Sequence, residues 1–238
     1  MWKTRVKFVA LVFVAQALLS STHCLAQAKT HSDYASMAPL DQYLISNEQA
    51  EIALARSAAP ASISQAAEIM VLGPKGYTTA VKGSNGFVCV VERGWGAATD
   101  NAEFWNPKVR APMCFNPAAV RSFLPIYLMK TTWILAGESR ADIPKSINAA
   151  FNSKELSPLE PGAMCYMMSK QQYLNDEGMH WHPHLMFFVS DDPAKSWGAD
   201  LPGSPVISAN DPEERVTIMF VLLGDWSDGT RAPSSMHY

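Results

Sequence analysis

The chain has 238 residues, 48% of them apolar, with 19 Lys+Arg against 22 Asp+Glu and a net charge of −3. That length buries a full core as a single domain without help from disulfides. The acidic balance, with no basic block after the first seven residues, excludes nucleic acid as a partner, because phosphate backbones are held through Lys and Arg.

Residues 1–28 have the three parts of a cleavable secretory signal in order. Lys3, Arg5 and Lys7 make a basic start, Phe8 to Leu19 is an apolar run, and Ser20 to Ala28 is a small polar tail. Ala26-Gln27-Ala28 fits the small-x-small pattern at a cut after Ala28, with Ala26 as the alternative. The apolar run is shorter than the roughly 20 residues of a membrane span, so no membrane association is expected after cleavage. Cleavage removes three basic residues and no acidic one, leaving 16 Lys+Arg against 22 Asp+Glu, a charge of −6.

Residues 29–46 read as a loose leader, 47–230 as the domain and 231–238 as a tail. Asn47 caps a short helix through Arg56, which Ala59-Pro60 ends. Glu68 to Leu72, Gly76 to Lys82 and Phe87 to Glu92 are strand-like, and the turn residues between them, Asn85-Gly86 above all, predict an antiparallel meander. Residues 93–115 read as a long loop pinned by Trp95, Phe104, Trp105 and Phe115. Asn116-Pro117 starts a helix to about Leu135, kinked or restarted at Pro125 and stopped at Gly137. Ser139 with Asp142 resembles a capping box for a helix to Phe151. Ala163 to Ser169, His184 to Ser190 and Arg215 to Leu223 return to strands, and the last two are apolar on both faces, which places them centrally. The pattern predicts an α+β single domain with a largely antiparallel sheet of about six strands and helices between the two strand groups.

The expected mature chain keeps Cys89, Cys114 and Cys165. Export permits a disulfide, and the short connection favours Cys89 with Cys114, although three buried thiols fit the spacing equally.

His180-Trp181-His182-Pro183-His184 is the least random feature of the chain. In an extended segment His180, His182 and His184 project from the same side, about 6.6 Å apart at successive positions. Neutral imidazoles suit a transition metal, here zinc or iron ahead of copper, whose thioether ligands Met164, Met167, Met168, Met179 and Met186 are more simply core residues. Glu92, Cys89, Asp176 and Glu177 are candidates for a fourth ligand. An open position on such a metal would allow small-molecule hydrolysis or redox chemistry. The bland alternative is a polar patch at a strand entrance, each ring bonded to backbone or acid. The Glu that a cupin-like His-x-His would want a few residues on is missing, and His-Glu-x-x-His, Gly-x-Ser-x-Gly, Ser-x-x-Lys and a glycine-rich phosphate loop are absent. Cys89 or Cys165 as nucleophile with a histidine base is a further arrangement, weakened by their strand-like surroundings. Trp95, Phe104, Trp105 and Phe115, with Trp181, Trp197 and Trp226, either line a pocket over the histidines or cover the sheet.

GFVCVVERGW (86–95), FWNPKVRAPMCFNPAA (104–119), EPGAMCYMMSK (160–170), HWHPHLMFF (180–188) and WGADLPGSPV (197–206) resemble an uncharacterised family of exported bacterial proteins. The resemblance spans about Asn47 to Thr230. It implies a bacterial origin and a periplasmic or extracellular location, and supplies no activity.

Two functions follow as expectations. One is an exported metal-binding protein using His180, His182 and possibly His184. The other is a non-catalytic ligand-binding or sensor domain whose aromatic pocket takes an apolar ligand, a small molecule included, or a partner segment. They differ in geometry. The first needs three imidazoles facing one cavity; the second leaves them apart or individually bonded to backbone.

Overall fold

The computed structural model describes residues 34–233. The expected signal, the first five residues of the leader and the tail from residue 234 lie outside the described residues. The rest of the leader is not loose. Tyr43 is fully buried and its hydroxyl donates to the Trp105 carbonyl at 2.7 Å, while Tyr34, Met37 and Leu44 pack on the core.

Helix α1 (Glu48–Arg56) is capped as the sequence suggests, with the Asn47 side chain accepting from Ala50 N at 3.2 Å. A one-turn helix α2 (Ala61–Ser64) follows. Strands β1 (Glu68–Gly73) and β2 (Gly76–Val81) form a hairpin, but β3 (Val88–Glu92) does not continue a meander. It pairs in parallel with the other side of β1, Glu68 opposite Val88. The glycine-rich stretch 83–86 therefore serves a crossing. A Cβ on Gly83 would lie 2.2 Å from Glu68 N, and Asn85 spends its amide on Ile63 O and Phe87 N rather than on a hairpin turn.

The expected loop 93–115 ends in a strand, β4 (Ala111–Phe115), antiparallel to β3. Pro112 hid it, since proline argues against an interior strand. Its missing N–H is tolerated because β4 meets β5 only at Cys114 and Phe115, beyond the proline. Helices α3 (Pro117–Ser122) and α4 (Leu124–Leu135) break at Phe123, just before Pro125, and Gly137 at φ +92° ends the second. Helix α5 (Ile143–Asn152) starts later than a capping box at Ser139 would place it: Ser139 Oγ donates to Asp142 Oδ2 and both residues sit in the preceding turn.

Strands β5 (Met164–Met167), β6 (His184–Val189), β7 (Val206–Asp211) and β8 (Val216–Leu222) complete the sheet. Among the described residues it has eight strands in the order β2-β1-β3-β4-β5-β6-β8-β7, with β1–β3 the parallel pair and the others antiparallel. The domain is thus mixed, a single sheet with helices, two strands larger than expected. β6 and β8 are interior, as their two-sided apolarity requires. β7 was missed because its polar Ser208, Asn210 and Asp211 suit an edge, and Asp200 covers that edge by donating its N–H to Val206 O and accepting from Ser208 N.

The two sheet faces differ. Under α1, Ile52 and Ala55 pack with Ile69, Val71, Val91 and the disulfide Cys89–Cys114, which links opposed residues of β3 and β4. The other face carries the larger core with α3–α5, closed by Trp95, Phe104 and Trp105. No helix among the described residues is long and apolar enough to cross a membrane.

Candidate functional site

At one end of the larger face the helices leave the sheet uncovered. The last residue of β3 (Glu92), the first of β4 (Ala111), the last of β5 (Met167), the first of β6 (His184) and Phe220 near the end of β8 meet there, with Met113 and Met186 one step further in. The segments Gly94–Ala97 and Leu174–Asn175, together with Trp181, flank this floor and bound a partly open cavity of about 350 Å³. That lies at the lower end of the roughly 300–1,000 Å³ range of small-molecule sites.

Six polar side chains line a cavity that is otherwise mostly apolar: Glu92, Arg93 and His184 are buried, and Asn101, Glu103 and Asn175 are more exposed. His184 is fully buried at the mouth of β6. Its Nδ1 lies 2.6 Å from the His182 carbonyl. A carbonyl only accepts, so the proton sits on Nδ1 and Nε2 keeps its lone pair. Nε2 is buried without a hydrogen-bond partner. Burial lowers the imidazole pKa to about 4, further than the His182 carbonyl raises it, so the ring is neutral at pH 7.

Glu92 is 3% exposed, and its Oε1 also lacks a partner. Burial first, and then the negative charge of Glu214, push its carboxyl up to about 8 against the opposing pull of Lys130. Gly96 makes room for this side chain: a Cβ there would stand 2.2 Å from Glu92 Oε2. The nearby cations are engaged elsewhere. Lys130 Nζ is bonded to Glu214 Oε1 at 2.5 Å and Ala97 O at 2.9 Å, and Arg93 is bonded to Glu51 at 2.9 Å, Tyr43 O and Val91 O.

The histidine segment does not assemble as its alternation predicts. Met179 at φ +62° turns the chain, and residues 180–183 precede β6 rather than continue it, so the period of two fails. His180 is exposed, His182 is half-buried and lends its carbonyl, and His184 alone faces the cavity. Among the described residues no group of three or more His, Cys, Asp or Glu side chains is placed to hold a metal ion. Of the candidate fourth ligands, Glu92 shares the cavity with His184 and the other three lie elsewhere. Cys89 is in the disulfide, and Asp176 is a hub accepting from Tyr34 Oη at 2.7 Å, Tyr173 Oη at 2.5 Å and Lys108 Nζ at 3.1 Å. Those donors, Tyr173 first, hold the Asp176 carboxyl well below the usual range. Glu177 lies exposed in the same loop. Cys165 is a buried free thiol whose pKa burial pushes well up, which leaves it protonated.

Of the aromatics, Trp95, Phe104, Trp105 and Phe115 cover the sheet, with Trp95 Nε1 donating to Thr131 Oγ1 at 3.0 Å. Trp181 lines the cavity, edge-on to His184 at 4.7 Å and to Phe220 at 5.5 Å between ring centroids. Its backbone carbonyl accepts from Gln172 Nε2 at 2.5 Å. Comparison with known proteins gives no match: no protein-family model, curated protein or solved structure matches this chain.

Proposed function

We propose that this is an exported binding protein that takes a small, largely apolar molecule into the cavity between Glu92 and His184. One observation supports this reading above the others: Glu92 and His184 line the same cavity, and each holds a buried polar atom, Oε1 and Nε2, without a hydrogen-bond partner. A buried polar atom left unsatisfied costs about 1–3 kcal/mol, and native structures keep few of them. An occupant that bonds both atoms and covers Trp181, Phe220 and the three methionines recovers that cost and adds apolar burial. Histidines that lie apart beside an aromatic-lined pocket are the arrangement expected of a binding module. Export is supported by the signal-like leading segment and by the Cys89–Cys114 disulfide, which suits an oxidising compartment.

The test is binding of neutral and charged aromatic fragments, followed by calorimetry, to the native protein and to Ala111→Phe, which places a ring in the cavity opposite Glu92. Native protein should bind and the variant should not, with its folding checked by circular dichroism; Met186→Phe is the second filling variant should Ala111→Phe fail to fold. Equal binding by native and a folded, filled variant would exclude this cavity. The metal reading has a separate check. Near one metal per chain by elemental analysis, lost in a folded His180→Ala/His182→Ala double variant, would restore it.

A further inference from the structure

Two carboxyl groups, Glu92 and Glu103, line the cavity with the His184 imidazole, the Asn101 and Asn175 amides and the Arg93 guanidinium, and the charges among them bear on its occupant. With its proton fixed on Nδ1, His184 Nε2 only accepts. Glu92 Oε1 is a carboxyl oxygen without a donor. The two cations beside the cavity, Arg93 and Lys130, are paired with Glu51 and Glu214 and also donate to the carbonyls of Tyr43, Val91 and Ala97. An anionic occupant would therefore meet two cations already paired with carboxylates, whereas a cationic one can pair with Glu92 in its ionised form. The walls point the same way. Trp181 and Phe220 offer aromatic faces and edges, and Met113, Met167 and Met186 polarizable thioethers, surroundings that accommodate an organic cation better than an anion. The acidic chain, at net −3, attracts cations over distance as well.

Building on the small-molecule reading above, we propose that the occupant is a small organic cation: a primary or secondary ammonium on an apolar body, pairing with the Glu92 carboxylate, with a second N–H or O–H donor reaching His184 Nε2. No covalent chemistry is involved, but a proton moves. The ionisable groups around Glu92 are Arg93 beside it, Tyr77 on β2, Lys130 and Tyr127 on α4, Glu214 before β8, Cys165 on β5, His184 on β6 and Glu103 in the covering loop. Lys130 and Glu214 neutralise each other, and Cys165 and His184 are uncharged at pH 7. The empty cavity thus keeps Glu92 protonated to about pH 8, and a cation that pairs with it displaces that proton to solvent.

The experiment uses matched probes on the native, full-length mature chain: tyramine, 2-(4-hydroxyphenyl)ethanol and 3-(4-hydroxyphenyl)propionate, with the corresponding cyclohexylethyl amine, alcohol and acid as a second scaffold. Calorimetry at pH 6, 7 and 8 reads affinity and protons released. The amine is expected to bind at least about tenfold tighter than the alcohol at pH 8, as a charge-assisted pair outweighs a neutral bond. Its affinity should rise up to about tenfold per pH unit from 6 to 8 with release of one proton. Glu92→Gln should erase both the preference and the pH dependence while alcohol binding persists. Alcohol or acid binding as tightly as the amine would overturn the cation assignment alone, provided Ala111→Phe still abolishes binding. Should no probe of either scaffold bind, or should folded Ala111→Phe bind like native protein, the pocket reading fails and takes the cation with it.

Discussion

Glu92 closes an uninterrupted buried run, Val88-Cys89-Val90-Val91, and its carboxyl consequently arrives inside the molecule, where Gly96 leaves room for it. Its folded pKa, about 8, stands above the ordinary 4.5. The folded protein thus keeps a proton that the unfolded chain loses, and Glu92 weighs increasingly against folding as pH rises from about 4.5 to about 8. His184 has the opposite sign: its pKa falls from 6.5 to about 4, so it costs stability as pH drops through that window and nothing above it. The two slopes offset each other between about 4.5 and 6.5, and above 6.5 only that of Glu92 remains. Glu92→Gln removes the ionisation. Urea denaturation should therefore show the variant gaining on native protein between pH 5 and pH 8, by on the order of a few kcal/mol, and levelling beyond. A pH-independent difference would mean that Glu92 is ionised in the folded state. The sequence marked both residues for a different reason, as metal ligands. It could not show them sharing a cavity, because β3 and β6 are held apart by β4 and β5, and β4 was hidden by Pro112.

Local chemistry fixes several elements while sheet order depends on contacts distant in sequence. The Asn47 and Asn116 caps, the break before Pro125 and the stop at Gly137 were legible because each acts within one turn of its own backbone. The order β2-β1-β3 was not legible, since Asn85-Gly86 reads as a hairpin until the neighbouring Ala67–Glu68 backbone is seen pressing on Gly83. The two caps also differ in reach. Asn47 accepts only from Ala50 N among the side-chain bonds found. Asn116 accepts from Ala119 N and Met164 N and donates to Gly162 O, tying α3 to the start of β5. Asn47→Ala should cost about 1 kcal/mol, and Asn116→Ala about 2–3 kcal/mol, because two further bonds go with the cap. Equal losses in chemical denaturation would show that Asn116 acts on its helix alone.

Across the described domain the sheet separates stabilisation by the disulfide from the cavity. Cys89 and Cys114 lie beneath α1 with Ile52 and Val71, whereas their strand neighbours Val90 and Met113 turn to the opposite face, which holds the cavity. Alternation along β3 and β4 thus directs the sulfurs to one side and Glu92 and Met113 to the other. The bridge closes a loop with a sequence separation of 25, for which restriction of the unfolded chain contributes about 3 kcal/mol. A Cys89→Ala/Cys114→Ala double variant should lose about that much stability in denaturant. Under conditions where it remains folded, it should bind the amine probe within about twofold of native protein, since twofold is under 1 kcal/mol. If affinity fell together with stability, the two faces would be coupled through β3. The position of Glu92 would then depend on the bridge three residues before it, and the proposed ligand would bind only to the oxidised form.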